Sequence, residues 1–220
     1  MKKIIQYLND NGLLKTIAQI FKRLAGLTGL LESKTYILKK EIHNEYSLAA
    51  NSTSKYQIKI LDVEDIEAFN KMKYFEFLDA NKIISSKKMG AIIALKENNI
   101  IGYVCFDSNN EHPIHQLGRW YLEENEAWIG PTYILNDYRN KGLHRILLNK
   151  TIENLYYANI RAAFTAINYK NKPSIKSFKK IGFDKIGLIK ARNFFNLHSK
   201  VRVEEKMLGS IESKFFNNKG

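Results

Sequence analysis

The sequence predicts an α/β (α+β) fold: a mixed, mostly antiparallel sheet around a central parallel β-α-β unit, preceded by a helical N-terminal extension. Three observations carry this. Residues 126–183 run strand, short basic turn, helix, strand, helix. Gly90–Leu95 and Ile100–Phe106 are apolar runs flanking Glu97-Asn98-Asn99, the pattern of a hairpin in which Asn98 and Asn99 can take turn geometry. Near the start, Leu13, Leu14, Ile17, Ile20, Phe21 and Leu24 recur at helical spacing.

Taken in order, residues 1–31 hold two helical pieces, the second with Lys15, Gln19, Lys22 and Arg23 largely off its apolar face. It reads as a helix docked on the domain or on a twin subunit, as a basic amphipathic helix on a membrane surface, or as a flexible arm. Thr35–Ile42 is either a strand or the helix continuing. Asn51-Ser52-Thr53-Ser54 looks like a linker, so the expected units are a helical extension (1–50), a main domain (51–206) and a frayed tail (207–220). Tyr56–Val63 alternates as a strand. Asp62 or Asp65 can cap a helix carrying Ile66, Phe69, Met72 and Phe75–Leu78, with a break near Asn81. Ser108–Asn125 reads as a long irregular loop. Ala127–Leu135 is a strand, Leu143–Tyr157 a helix, Arg161–Asn168 a strand and Asn171–Gly182 a shorter helix; Lys185–Ala191 and Ser199–Val203 are final strands.

The chain has 220 residues, 45% of them hydrophobic, and a formal charge of +13. Such a charge suits nucleic acid, an anionic membrane or a phosphorylated ligand. Only charge supports nucleic acid, so no specific nucleic-acid partner is expected. Lys170, Lys172, Lys176, Lys179 and Lys180 cluster, either as a phosphate-facing patch or as a solvated face. Cys105 is the single cysteine, expected to be buried and inert; no disulfide, Cys/His cluster or metal site follows. No apolar run approaches the roughly 20 residues of a spanning helix, and no signal-peptide pattern appears. A cytoplasmic protein is expected, with membrane association only through the basic helix.

Two strands joined through a helix lie parallel when they share a sheet, with a right-handed crossover. Arg139–Gly142 then sits at the carboxyl end of the first strand and the amino end of the helix. Unpaired N–H groups and the positive end of the helix dipole meet there, an anion site suited to phosphate. Gly142 permits close approach of the backbone. Gly130 and Pro131 inside the first strand fit a bulge that breaks the ladder. A dinucleotide-binding glycine signature, a Walker lysine and a nucleophile elbow are all missing.

Arg139-Asn140-Lys141-Gly142-Leu143-His144 resembles the Arg/Gln-x-x-Gly-x-Gly/Ala signature of the GNAT superfamily of N-acetyltransferases. The segment from Asn171 to Phe183, an Asn opening a helix that closes on Gly-Phe, is similar to a second family signature. The likeness spans Tyr56–Val203. It implies a GNAT-like acyl-CoA N-acyltransferase fold whose two central strands splay to admit the pantetheine arm of acetyl-CoA, with no metal. Ile134 would bond to that arm and the turn Arg139–His144 would cradle the pyrophosphate. The resemblance assigns Ile134, Leu135, Asn136, Arg139, Asn140, Lys141, Gly142, Leu143, His144, Asn171 and Ser174 to co-substrate binding.

Two departures stand out. His144 replaces the usual Gly or Ala; its N–H can still donate, and the ring either reaches a phosphate when protonated or is an exposed first-turn residue. Phe178 stands where family members often carry a Tyr that protonates the departing thiolate. Ser174 or a water takes that role, or no dedicated acid exists.

For the base that deprotonates a primary amine, Glu126 is the first candidate and His115 and His112 the runners-up. A main-chain N–H of the bulged strand would polarise the carbonyl. Acceptor walls are expected from Phe69–Leu78, His112–Trp120 and Arg192–His198, aromatic, amidic and basic stretches with few acids. They disfavour a polycation and suit a small-molecule amine such as an amino sugar, a nucleotide-linked amino sugar or an amino-acid derivative. The alternatives are a non-catalytic CoA-binding or regulatory module and a peripheral membrane protein acting through its basic helix.

Overall fold

The structure, a computed structural model, describes residues 32–43, 56–114, 118–194, 198–203 and 215–216. The helical pieces expected in residues 1–31, the linker 51–54 and His115 lie outside the described residues. Among the described residues no helix is long and apolar enough to cross a membrane.

Among the described residues, ten strands and four helices form the main body: β1 (Glu32–Glu41), β2 (Gln57–Ile60), α1 (Ile66–Met72), α2 (Ala80–Ser85), β3 (Met89–Lys96), β4 (Asn99–Asp107), β5 (Glu111–Ile114), β6 (Gly118–Tyr121), β7 (Glu126–Ile134), α3 (Leu143–Tyr157), β8 (Ala162–Asn168), α4 (Lys172–Lys180), β9 (Asp184–Phe194) and β10 (His198–Val203), followed by a two-residue strand β11 (Phe215–Phe216). Eight strands make one sheet in the order β10-β9-β1-β8-β7-β4-β3-β2. Its paired neighbours are antiparallel except β7 and β8, which run parallel.

Residues alternate between the two faces of the sheet. Ile92, Ala94, Ala127, Ile129 and Ala163 pack with Leu143, Leu147, Ile152 and Phe178 of α3 and α4. On the opposite face Ala91, Ile93 and Leu95 pack with Phe69 of α1 and Ile83 of α2. Beside them Trp128, Ala162 and Phe164 pack under Ile114, Trp120 and Leu122. Both helices of the central unit stop in the same way. Asn159 (φ 62) and Gly182 (φ 86) adopt left-handed conformations, and Ile160 N–H and Phe183 N–H reach back to the Leu155 and Phe178 carbonyls at 3.0 and 3.1 Å, the Schellman closure.

Five expectations change. β1 is a strand, paired on one side with β8 and on the other with β9, so a boundary at residue 51 leaves out one strand of the sheet. Its residues Ile37 and Leu38 are buried on opposite faces, a two-residue period that a helix cannot satisfy. The expected irregular loop 108–125 contains the β5–β6 hairpin. Pro113 disguises β5, yet β5 is the edge of a three-stranded sheet ordered β11-β6-β5, where a missing N–H costs no ladder bond. Phe215 and Phe216 pair with Trp120 and Arg119, so the expected tail includes a strand. The helix expected through Leu78 ends at Met72, and α2 starts at Ala80 with Asp79 capping the Asn81 N–H at 2.9 Å. The β3–β4 turn uses Glu97 (φ 51) and Asn98 (φ 63), not Asn98 and Asn99.

Candidate active site

β7 has two unlike edges. Toward β4 its pairing reaches from Asp107↔Trp128 to Gly102↔Ile134. Toward β8 only Glu126↔Ala162, Ala127↔Ala163 and Trp128↔Phe164 pair, although both strands continue. A fork therefore opens after Trp128. Gly130, at φ +137, and Pro131 fall where the β4 register slips between Val104 and Phe106, and this bulge bends β7 away.

Past the fork β7 enters a 3-10 turn, Asn136–Tyr138. Asn140 (φ 60) and Gly142 (φ 79) are then both left-handed, the backbone habit of main-chain nests that present N–H groups to anions. Gly142 is the N-cap of α3 without a side-chain cap; the Leu143 and His144 N–H groups that follow have no intrahelical acceptor, whereas the Arg145 N–H donates to the Gly142 carbonyl at 3.0 Å. Nothing lies within 4 Å of where a Gly142 Cβ would stand, so the corner is open to a ligand.

A cleft of about 740 Å³ occupies this corner, between the end of β7, the start of α3 and one face of α4. Its charged lining residues, Arg139, Arg145, Lys176 and Lys180, are all cationic, and among the described residues no carboxylate borders it. Such a donor set fits a diphosphate with a further phosphate. Of the residues expected at the co-substrate, Ile134, Arg139, Asn140, Gly142, Leu143, His144, Asn171 and Ser174 line the cleft. Leu135, Asn136 and Lys141 do not. Leu135 N–H donates to the Ile101 carbonyl at 3.0 Å, the Asn136 carbonyl takes Arg139 N–H at 3.1 Å, and Lys141 Nζ turns back to the Asp137 carbonyl at 2.6 Å. Arg139 Nε donates to the Ile134 carbonyl at 2.9 Å, so that carbonyl is already engaged. Asn171 is a helix cap, its Oδ1 accepting the Ser174 N–H at 3.2 Å.

Both readings of His144 give way. The ring is turned inward against Phe178, centroids 5.6 Å apart, and its Nε2 is shielded without a partner. Burial drives its pKa down to about 4, so the side chain is neutral and only its main-chain N–H is suited to an anion. Phe178 is 1% exposed and edge-on to Phe183 at 5.0 Å; it is core, with no proton to give. Glu126 is buried at the start of β7, and its Oε2 accepts the Glu123 N–H at 3.0 Å. It pins the turn into β7 and does not line the cleft. Gly130 is four residues further on, roughly 13 Å at strand rise.

The sequence reading missed Arg145, Ser177, Thr132, Tyr133 and Tyr138 in the lining. Pro173, Ser177 and Lys180 follow a helical stripe, a signal that could have separated Lys176 and Lys180 from the rest of the lysine cluster. Lys170 and Lys172 instead sit over the Tyr169 ring, at 5.5 and 5.9 Å.

Residues 55–183 match the acetyltransferase (GNAT) family. The chain belongs to that family. No curated protein sequence matches this GNAT chain. Among solved structures it is similar to a Drosophila protein (TM-score 0.52, 15% identity, covering 79% of this chain and 55% of that one). It is also similar to a GNAT-family protein from Novosphingobium aromaticivorans (TM-score 0.50, 11% identity, 73% and 63%). An aminoglycoside N-acetyltransferase in complex with CoA gives a TM-score of 0.49 at 14% identity, covering 59% and 92%. At these identities the likeness is one of fold.

Proposed function

We propose that this GNAT chain moves an acetyl group from acetyl-CoA to the primary amine of a small molecule, by direct attack in a ternary complex. One observation carries the reading: β7 and β8 part after three rungs beside an all-cationic cleft at a helix N-terminus. The main-chain N–H groups from Asn140 to His144, with Arg139 and Arg145, take the pyrophosphate, and Lys176 and Lys180 a further phosphate. The pantetheine arm runs along the open edge of β7, whose main-chain groups there have no β8 partner. At the bulge a main-chain N–H polarises the thioester carbonyl as charge grows on its oxygen. Ser174, in the cleft, or water protonates the thiolate, since Phe178 cannot.

The acceptor is an amino sugar, free or nucleotide-linked. Flat aromatic surfaces support this. Tyr74, 66% exposed, stacks on Tyr133 at 4.8 Å, and Phe77 is 74% exposed beside Phe75. Such faces suit sugar rings and bases.

Acetyl-CoA should raise the melting temperature of the protein, and thiol release should follow with an amino sugar in a panel of amines. No stabilisation by acetyl-CoA would sink the reading. Stabilisation without thiol release on any amine would favour a non-catalytic CoA-binding module, the reading that the buried Phe178 makes worth testing.

A further inference from the structure

We propose that His112, oriented by Asp107, is the general base that deprotonates the attacking amine; this rests on the acetyl-transfer reading above. Asp107 ends β4 directly opposite Trp128. Its carboxylate accepts the Asn109 N–H at 2.8 Å and lies 3.2 Å from His112 Nδ1. Burial pushes the Asp107 pKa up, but the hydrogen bonds from His112 and Asn109 outweigh it, and the net shift is downward. An ionised carboxylate only accepts, so in the neutral ring Nδ1 carries the proton and Nε2 keeps its lone pair. No hydrogen bond to Nε2 is found among the described residues. The ring is fixed a second time, stacked on the Trp128 indole at 4.8 Å and 17°.

That stack gives the dyad its place. Trp128 is the last residue of β7 paired with β8, so the His112 ring is stacked on the residue that marks the apex of the fork, where an acyl group entering between the strands would stop. Trp128 faces the side of the sheet opposite α3. The co-substrate phosphates and the base are thus on different faces: the acyl donor comes through the fork and the amine meets it from the β5–β6 side. Other titratable groups on the surrounding elements are engaged elsewhere. Glu111 of β5 pairs with Arg119 of β6 at 2.7 Å, and Glu126 of β7 holds the Glu123 N–H.

The proton balance is simple. Nε2 takes one proton from the ammonium, and the free amine attacks the thioester carbon. As the tetrahedral adduct collapses, the C–S bond breaks and its electron pair leaves on sulfur. The amine nitrogen loses a second proton; one of the two ends on the thiol and the other reaches solvent through His112. Asp107 touches no reactant and is a positioning residue.

The test follows free thiol from acetyl-CoA across pH, using glucosamine, a 2-deoxystreptamine aminoglycoside and an alanyl peptide as probes, for wild type, His112→Gln, His112→Ala and Asp107→Asn. His112→Gln should lower kcat about 10²–10⁴-fold while keeping the melting shift given by acetyl-CoA, and the acid-side fall of the rate profile should vanish. Imidazole should restore part of the His112→Ala rate. Asp107→Asn should lower kcat about 10–100-fold with KM for acetyl-CoA unchanged. Turnover by wild type with equal turnover and pH profile in His112→Gln overturns this inference alone. If His112→Gln fails to fold, an unaltered rate and pH profile in Asp107→Asn overturns it. Stabilisation by acetyl-CoA with no thiol release by wild type overturns the transfer reading and the base with it.

Discussion

The two edges of β7 face different demands. Along the β4 edge the pairing runs from Trp128 to Ile134, broken only by one bulge; along the β8 edge it stops at Trp128. One strand therefore serves as core on one side and as ligand surface on the other. The bulge at Gly130-Pro131 marks the change, since it bends β7 without detaching it from β4. Stability belongs to the β4 edge and to the three rungs below the fork. Binding belongs to what lies above it.

The largest effect should come from the residue at the junction. Trp128 is 4% exposed and packs against Trp120 at 6.0 Å and His112 at 4.8 Å. Trp128→Ala should cost about 3–5 kcal/mol by urea denaturation and remove the seat of the His112 ring. A loss under about 1 kcal/mol would mean that the fork apex is not part of the core.

His144 sharpens the contrast, because it is a half-buried, inward-turned residue on the ligand side. Its pKa falls from an ordinary 6.5 to about 4 in the fold, so the unfolded chain binds the proton more readily. Stability is then full above about pH 6.5 and declines as pH falls toward 4. The loss at the lower end should be on the order of 2–3 kcal/mol. His144→Leu should flatten that slope, measured as denaturation midpoints between pH 7 and pH 4.5. An equal slope in both proteins would place the titration elsewhere. The carboxylate of Asp107, lowered in the fold, acts in a separate window, below the ordinary carboxylate range.

These residues also show what the sequence could reveal. The β-α-β unit was legible because each segment has one period and one set of stops: Leu143–Tyr157 agrees residue for residue with α3, and Gly182-Phe183 is the closure it resembled. β1 was ambiguous because the neighbouring Ile37 and Leu38 are both apolar and buried on opposite faces, so alternation disappears. The β5–β6 hairpin was hidden by Pro113, whose tolerance depends on an edge position that only pairing reveals. The same blindness ranked Glu126 ahead of His112 among the candidate bases. Glu126 attracted attention by lying on the central strand. The role proposed for His112 rests on Asp107 and Trp128, five and sixteen positions away, and no local pattern joins them.

On the paired edge, Gly102 tests how closely β4 and β7 must approach. A Cβ there would stand 3.1 Å from Ile134 Cγ1 and from the Tyr133 carbonyl oxygen. Neither neighbour moves freely, since one is core and the other main chain. Gly102→Ala should cost about 1–3 kcal/mol and leave the melting shift from acetyl-CoA, measured relative to the variant's own baseline, close to that of wild type. Loss of that shift with little loss of stability would mean that the two edges are coupled.

The smallest effect on stability should come from the ligand side itself. Lys176 and Lys180 are exposed cations on the α4 face of the cleft, and neither holds the fold together. Lys176→Ala with Lys180→Ala should change stability by no more than about 0.5 kcal/mol. The same change should weaken acetyl-CoA binding several-fold at low salt and reduce the salt dependence of what remains, because two of four cations facing the ligand are gone. Dephospho-CoA, which lacks one phosphate, should lose less affinity to this double variant than CoA does. Equal losses for the two ligands would move the extra phosphate away from α4 and leave the pyrophosphate corner at Arg139–His144 as the sole anion site of the cleft.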